Sequence, residues 1–264
     1  MCGRYAATAN PDDLVEEFEV DSDQTGGSLR PQYNLAPTDA APVVVERPPR
    51  DDKQAPPERT LRLLTWGLVP SWAKDRSVGN RMINARADTL LEKPAYQRAA
   101  LSRRCLVPAD GWYEWQKSPV ATDEKGKPRR QPFFTRLADG DRLAFAGLFE
   151  FWRDDTRPDD DPDAWLTTYA IITTDAEPGL DLLHDRMPFV LPRDRWDRWL
   201  DPAVTEPAEV SALLAPVAPG RFETYPVSRR VGNVRNTGPE LLDPAPASEL
   251  VGVLDPATGE LIGV

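Results

Sequence analysis

The sequence predicts a mainly β domain of the α+β class, a single domain with short helices packed on it. Three observations carry that expectation. Apolar and β-branched runs recur along the chain, as in "RCLVPADGWYEW", "PFFTRLA", "RLAFAGLFEFW", "WLTTYAIITT" and "MPFVLP". Helical patterns are few and short. Hydrophobic residues make up 40% of the 264 positions, eight of them Trp, which is enough for a substantial core.

In chain order, Asn10 caps a helix in "PDDLVEEFEV", with acids in its first turn and Leu14 and Phe18 on one face. A Gly/Ser loop precedes "YNLAPTDAAPVVVER", a loop leading into a strand, and the Pro- and charge-rich residues 46–60 read as a solvent loop. "LRLLTWGLVP" reads as a strand ending at Pro70, and "ADTLLEKPAYQRAALSRR" as two short helices broken by Pro94. Segments 116–131 and 153–164 read as loop insertions between strands. Helices in "PRDRWDRWL" and "PAEVSALLA" precede a last strand, "FETYPVS". The end, "VGVLDPATGELIGV", reads as a small hairpin around Pro256–Gly259. The expected organisation is one domain over residues 2–240 and a C-terminal extension over 241–264, in a monomer.

Composition narrows the chemistry. Two cysteines, Cys2 and Cys105, argue against a disulfide framework and for a reducing compartment. One histidine and two cysteines cannot supply the four N/S ligands of a closed zinc site, so neither a metal nor a cofactor is expected. Phosphate-binding glycine loops and G-x-S-x-G elbows are missing from the sequence. No run approaches the ~18 apolar residues of a membrane span, and the expected location is the cytoplasm. The formal charge of −11 disfavours nucleic acid at first sight, yet the bases are mostly Arg and the acids gather in loops such as "RDDTRPDDDPDAW". That pattern reads as a surface adapted to high salt, under which a local basic groove survives.

Several stretches carry candidate chemistry. In "MCGRYA", loss of Met1 leaves Cys2 with a free α-amine and a thiol, whose reference pKa values are about 7.7–8.0 and about 8.5. Such a 1,2-aminothiol condenses with an aldehyde and then closes a five-membered thiazolidine; a buried cysteine with no role is the alternative. In "GWYEW", strand alternation puts Trp112 and Glu114 on one face and Tyr113 and Trp115 on the other. A carboxyl beside Trp is poorly solvated and shifts towards general-acid duty, although a half-exposed strand Glu fits the pattern equally. In "RMINARAD" an extended backbone turns Asn84 and Arg86 to one face, suited to a sugar oxygen and a phosphate or simply to solvent. His184 in "LLHDRMP" is the single histidine, flanked by Asp185 and Arg186. Trp66, Trp72 and Trp112, interleaved with Arg81, Arg86, Arg103 and Arg104, offer either stacking platforms with phosphate partners or ordinary core, and "SRRVGNVRN" adds Arg229, Arg230 and Arg235.

Together, "MCGRYA", "YNLAPT", "WGLVPSW", "INAR", "ADGWYEW", "HDRMP" and "PVSRRVGNVRN" closely resemble the SOS response-associated peptidase (SRAP) family of abasic-site processing proteins, in family order over residues 2–237. The resemblance implies a mainly β fold with a positively charged channel that binds single-stranded DNA containing abasic sites. It implies that the α-amine of mature Cys2 forms a Schiff base with the C1′ aldehyde and that its thiol closes the ring. By the same resemblance, Glu114 protonates the sugar oxygen, Asn84 sits against the opened sugar, and His184 assists ring opening. Arg4, Arg86 and Arg186 hold neighbouring phosphates, Trp72 shapes the junction beside the lesion, and Asn34 braces the active-site loop. The peptidase label corresponds to removal of Met1. Two other readings remain: an N-terminal-nucleophile glutamine amidotransferase, which also opens on Cys-Gly, and a non-covalent single-stranded DNA module.

Overall fold

The structure is a computed structural model that describes residues 2–49, 51–158 and 160–262. Its elements run in chain order β1 (Tyr5–Ala7), α1 (Pro11–Glu17), β2 (Ser22–Asp23), β3 (Gln32–Leu35), β4 (Ala40–Arg47), β5 (Glu58–Trp66) and β6 (Asn84–Arg86). There follow α2 (Pro94–Ser102), β7 (Arg104–Ala109), β8 (Gly111–Thr122), β9 (Pro128–Leu137), β10 (Leu143–Arg153), β11 (Trp165–Asp175) and β12 (Arg186–Pro188). The chain ends with α3 (Trp196–Leu200), α4 (Pro207–Leu213), β13 (Phe222–Pro226), β14 (Val253–Leu254) and β15 (Leu261–Ile262). The predicted α+β, mainly β single domain is what the structure has.

Five strands form a closed barrel in the order β5-β4-β7-β10-β11, because β11 also pairs with β5. The four pairings along this path are antiparallel, so an odd-numbered ring has to close on a parallel pair, and the β11–β5 pairing is parallel. Period-2 alternation sorts the side chains. Val43, Val45, Leu64, Trp66, Cys105, Val107, Phe145, Phe149, Tyr169 and Ile171 belong to the interior cluster. Val44, Leu61, Leu106, Ala146, Ala170 and Ile172 face outwards under a helical cover that includes Leu14, Phe18, Ala99, Trp199 and Val210.

A second sheet, β13-β9-β8-β1-β3, carries the N-terminus. Strand β1 lies between β3 and β8, and its Tyr5 plugs one end of the barrel. The Tyr5 ring meets Trp66 edge-on at 5.1 Å and Phe145 at 5.9 Å, and its hydroxyl lies 2.6 Å from that of Tyr169. Fixing Tyr5 fixes the residues before it, so the barrel positions Cys2.

Local chemistry follows the sequence at α1, where the Asn10 side chain accepts from the Asp13 N–H at 2.9 Å. Four expectations need correction. Strands β4 and β5 extend into the predicted 46–60 loop from both sides, as Arg47 pairs with Glu58. Strand β5 stops at Trp66 rather than Pro70, because Gly67 turns at φ 123°, where a Cβ would lie 2.6 Å from the Gly79 oxygen. Residues 87–93 form turns, not a helix: Lys93 before Pro94 is held extended, and the stretch is too short to nucleate alone. The 116–131 segment is the far end of a long β8–β9 hairpin, with Gln116 opposite Gln131 and Lys117 opposite Arg130. Its turn closes where the Asp123 carboxylate accepts from the Lys125 and Lys127 N–H groups and Gly126 adopts φ 72°.

The predicted end hairpin is present as β14–β15. It lies on the β8–β9 hairpin: the Gln116 amide donates to the Leu254 carbonyl at 2.9 Å and accepts from the Leu254 N–H at 2.8 Å. That bonding lets a strand carry a fully buried Gln. No helix among the described residues is long and apolar enough to cross a membrane.

Candidate active site

Cys2, Asn84, Glu114 and His184 come from four separate segments and meet where the second sheet caps the barrel. Strand β6 lies parallel to β11, with Asn84 beside Ile171, and the Tyr96 hydroxyl donates to the Asn84 carbonyl at 3.0 Å. Held from both sides, Asn84 donates its amide N–H to the Cys2 carbonyl at 2.7 Å. Its Oδ1 is buried and accepts no hydrogen bond among the described residues. An amide fixed by one bond and carrying a free acceptor beside Cys2 is a ready partner for a hydroxyl or amine.

The Cys2 thiol is fully buried. Burial pushes its pKa far above the ordinary thiol value, the charge of Glu114 adds to that, and the Arg4 N–H acts in the opposite sense. Glu114 is 6% exposed, and burial pushes its carboxyl up to about 7, with Asp185 adding in the same direction. The alternation read from "GWYEW" holds: Trp112 lies in the interior cluster with Cys2, whereas Tyr113 and Trp115 pack on the opposite face. A carboxyl poised near 7 gives and takes a proton at neutral pH.

His184 precedes β12, half-buried. Its Nδ1 accepts from the Arg186 N–H at 3.0 Å and lies 2.6 Å from Asp185 Oδ1. A single ring nitrogen cannot accept from one group and donate to the other at once. Burial lowers the His184 pKa, so the neutral ring keeps the backbone bond and leaves Nε2–H as donor. Only a ring protonated at Nδ1 can donate from that atom to Asp185.

The other candidates lie around this group in different settings. Arg86 is exposed and grips Asp88 with two bonds, at 3.0 and 2.5 Å, and that grip draws Asp88 down to about 2. Arg186 is buried, donating to Asp175 at 2.8 Å and to the Thr173 carbonyl at 2.7 Å. Trp72 is 67% exposed on the loop that follows Gly67. Arg4 and Asn34 work on another loop: Arg4 donates to Asn34 Oδ1 at 2.7 Å and to the Val231 carbonyl at 3.0 Å. The Asn34 amide reaches the carbonyls of Val231, Asn233 and Asn236 and so braces residues 231–236. Arg235 on that braced stretch, and Arg229 and Arg230 just before it, are exposed.

Four residues weighed as a stacking and phosphate surface are not on one. Trp66 and Trp112 are core, Arg103 pairs with Glu150, and Arg104 donates to the carbonyls of Trp199, Ala100 and Asp201. Sequence reasoning missed Asp88, Asp175 and Tyr96. The Arg86-x-Asp88 spacing was a visible signal, whereas the Asp175–Arg186 contact depends on the β11–β12 pairing.

The family model described as SOS response associated peptidase (SRAP) matches residues 1–234. This chain belongs to that family. A Bacillus subtilis relative named abasic site processing protein YoqW is 37% identical over 243 residues, covering 92% of this chain and 99% of its own. The Gallus gallus relative, abasic site processing protein HMCES, is 34% identical over 241 residues, covering 83% of this chain and 67% of its own. A crystal structure of a Bacteroides thetaiotaomicron protein, 22% identical, superposes with a TM-score of 0.74 over 92% of this chain and all of the other. A phage-related protein of Bordetella bronchiseptica, 31% identical, does so at 0.61 over 86% of this chain and 95% of the other.

Proposed function

We propose that this SRAP-family chain processes abasic sites and does so by linking covalently, through Cys2, to the opened sugar of a single-stranded DNA lesion. The observation that carries the reading is the Asn84–Cys2 bond of 2.7 Å beside a buried Glu114 poised near 7. Family membership and the names of the relatives support the lesion as substrate.

The chemistry balances on groups in this chain. Met1, whose removal the reading requires, lies outside the described residues. Once it is gone, the Cys2 amine adds to the C1′ aldehyde and the resulting carbinolamine loses water to give an imine. The thiol sulfur then bonds to C1′ while its proton passes to the nitrogen, closing a thiazolidine. Glu114 donates a proton to the departing hydroxyl, a step open to the acid form below about pH 7. As the sugar opens, the C1′–ring-oxygen bond breaks, the C1′ hydroxyl loses its proton and the ring oxygen gains one; His184 Nε2–H hydrogen-bonds to that oxygen, and Asn84 Oδ1 accepts from the sugar hydroxyl so formed.

Around the lesion the strand lies in a positively charged channel, with exposed Trp72 stacking and Arg86 and Arg186 holding phosphates. In the free protein Asp88 and Asp175 occupy those two guanidiniums, so phosphate has to displace a carboxylate at each. That competition fits a strand-binding surface on a chain of charge −11. The test is mass spectrometry of the adduct between trimmed protein and a lesion-bearing oligonucleotide. The expected mass is the sum of the two minus one water. A non-covalent complex alone would sink the reading, and glutamine hydrolysis would favour the amidotransferase.

A further inference from the structure

The barrel has a second end. Arg47, Arg62, Phe151, Trp165 and Thr167 share the strand parity of the interior residues Val45, Leu64, Phe149 and Tyr169, so they continue the interior face beyond the core. With Glu58 and Thr60 they line a cavity of about 530 Å³. Its size falls in the range of small-molecule sites, and the mouth of a barrel is a favoured position for one. Cys2 and Glu114 belong to the opposite, plugged end.

Two features set this cavity apart from an ordinary surface hollow. The Arg47 and Arg62 side chains make no hydrogen bond or ion pair among the described residues, although the chain carries 43 acids against 32 bases. Even Glu58, directly across from Arg47, forms no ion pair with it. Both guanidiniums are half-buried, and burial lowers both pKa values, with Arg62 further disfavouring the charge on Arg47. Unpaired, partly desolvated guanidiniums so close together are costly unless an anion joins them. The second feature is aromatic. The Arg47 guanidinium lies 4.9 Å over the Phe151 ring, which pre-orients it, and Trp165 is 53% exposed at the rim.

We infer that this mouth is a second binding site, built for a phosphorylated nucleoside. Arg47 and Arg62 take the phosphate in charge-assisted hydrogen bonds, Trp165 stacks the base, and the Thr60 and Thr167 hydroxyls face the sugar. A dianionic phosphate matches the two charges better than a single carboxylate does, and the exposed indole adds selectivity for a planar ring. The same chemistry occurs in a free mononucleotide and at the 5′-phosphate of a strand.

Calorimetric titration of the full chain tests it, with dAMP, deoxyadenosine, inorganic phosphate and a 5′-phosphorylated oligonucleotide as separate probes. The expected result is that dAMP binds at least about tenfold more tightly than either deoxyadenosine or phosphate. Arg47→Gln and Arg62→Gln each cost about tenfold, in line with loss of a charge-assisted contact. Tighter binding by the oligonucleotide than by dAMP that requires the 5′-phosphate and weakens in Arg62→Gln assigns the site to a strand end, whereas dAMP binding that weakens in Arg62→Gln while oligonucleotide binding does not assigns it to a free nucleotide. The Arg62→Gln protein should unfold at the same or a higher temperature, because a half-buried unpaired cation is removed, and should keep its activity on abasic DNA, since Arg62 lies at the end of the barrel away from Cys2 and Glu114. No dAMP binding up to millimolar concentration, equal binding of phosphate and dAMP, or wild-type affinity in both variants would overturn the inference.

Discussion

The two ends of one barrel use the same residue type in opposite ways. At the Cys2 end two of the three candidate phosphate-binding guanidiniums are held by carboxylates, Arg86 by Asp88 and Arg186 by Asp175, and the third, Arg4, donates to Asn34 and the Val231 carbonyl. At the far mouth Arg47 and Arg62 stand without a carboxylate partner among the described residues. The plugged end buries its reactive groups and shields its cations, as a site does that forms a covalent bond and needs little standing affinity. The open mouth leaves cations unpaired, as a site does that depends on reversible affinity. Burial also acts on both ends with opposite results: it raises the Glu114 carboxyl and lowers the two arginines, in each case against the charged form.

The largest effect that would break this comparison comes from sulfur. Cys2→Ser keeps the amine and loses ring closure, so heat-stable adducts should vanish while a borohydride-trapped imine persists. Stable adducts from this variant would remove the thiazolidine.

Glu114→Gln comes next, with crosslinking slowed about a hundredfold, the size of a general-acid contribution. The α-amine has to lose its proton to react, so the dependence is read as the ratio of wild-type to Glu114→Gln rates, which falls as pH rises through about 7. The same group affects stability. Its folded pKa lies above the ordinary 4.5, so its contribution is fully present below that value and is lost as pH climbs from there to about 7. Urea midpoints measured across this window should fall more in the wild type than in Glu114→Gln.

Asn84→Ala removes the bond to the Cys2 carbonyl and should slow the reaction about tenfold, the worth of one well-placed hydrogen bond. Single-turnover rates at saturating oligonucleotide isolate that loss from binding. Smallest of all, Asp88→Asn frees Arg86 for phosphate. Binding to undamaged single strands should tighten severalfold at low salt, and the slope of log K against log salt should steepen by about 0.7 for one added contact. An unchanged slope would mean that Arg86 does not meet the strand.

Much of this was legible in the residues, because alternation and capping are local rules. The "GWYEW" pattern placed Glu114 with Trp112, and Asn10 announced its helix. Where reading failed, the cause was non-local. Polar residues 116–131 read as loop because their partners lie on the opposing arm and on the Leu254 backbone, more than 130 positions away along the chain. The long-range pairing of Arg186 with Asp175 likewise follows from strand register, not from spacing. The barrel mouth left no motif at all. Its four principal residues lie on four strands, and barrel closure through the parallel β11–β5 pair brings them together.

The central claim is that Cys2 reacts covalently with an abasic site, and a denaturing gel tests it most directly. Protein shown by mass spectrometry to lack Met1 is incubated with a single-stranded oligonucleotide carrying one abasic site. The account predicts a heat-resistant shifted band that requires the lesion and disappears in Cys2→Ala. No shifted band from the trimmed protein, or a band that survives in Cys2→Ala, would contradict it.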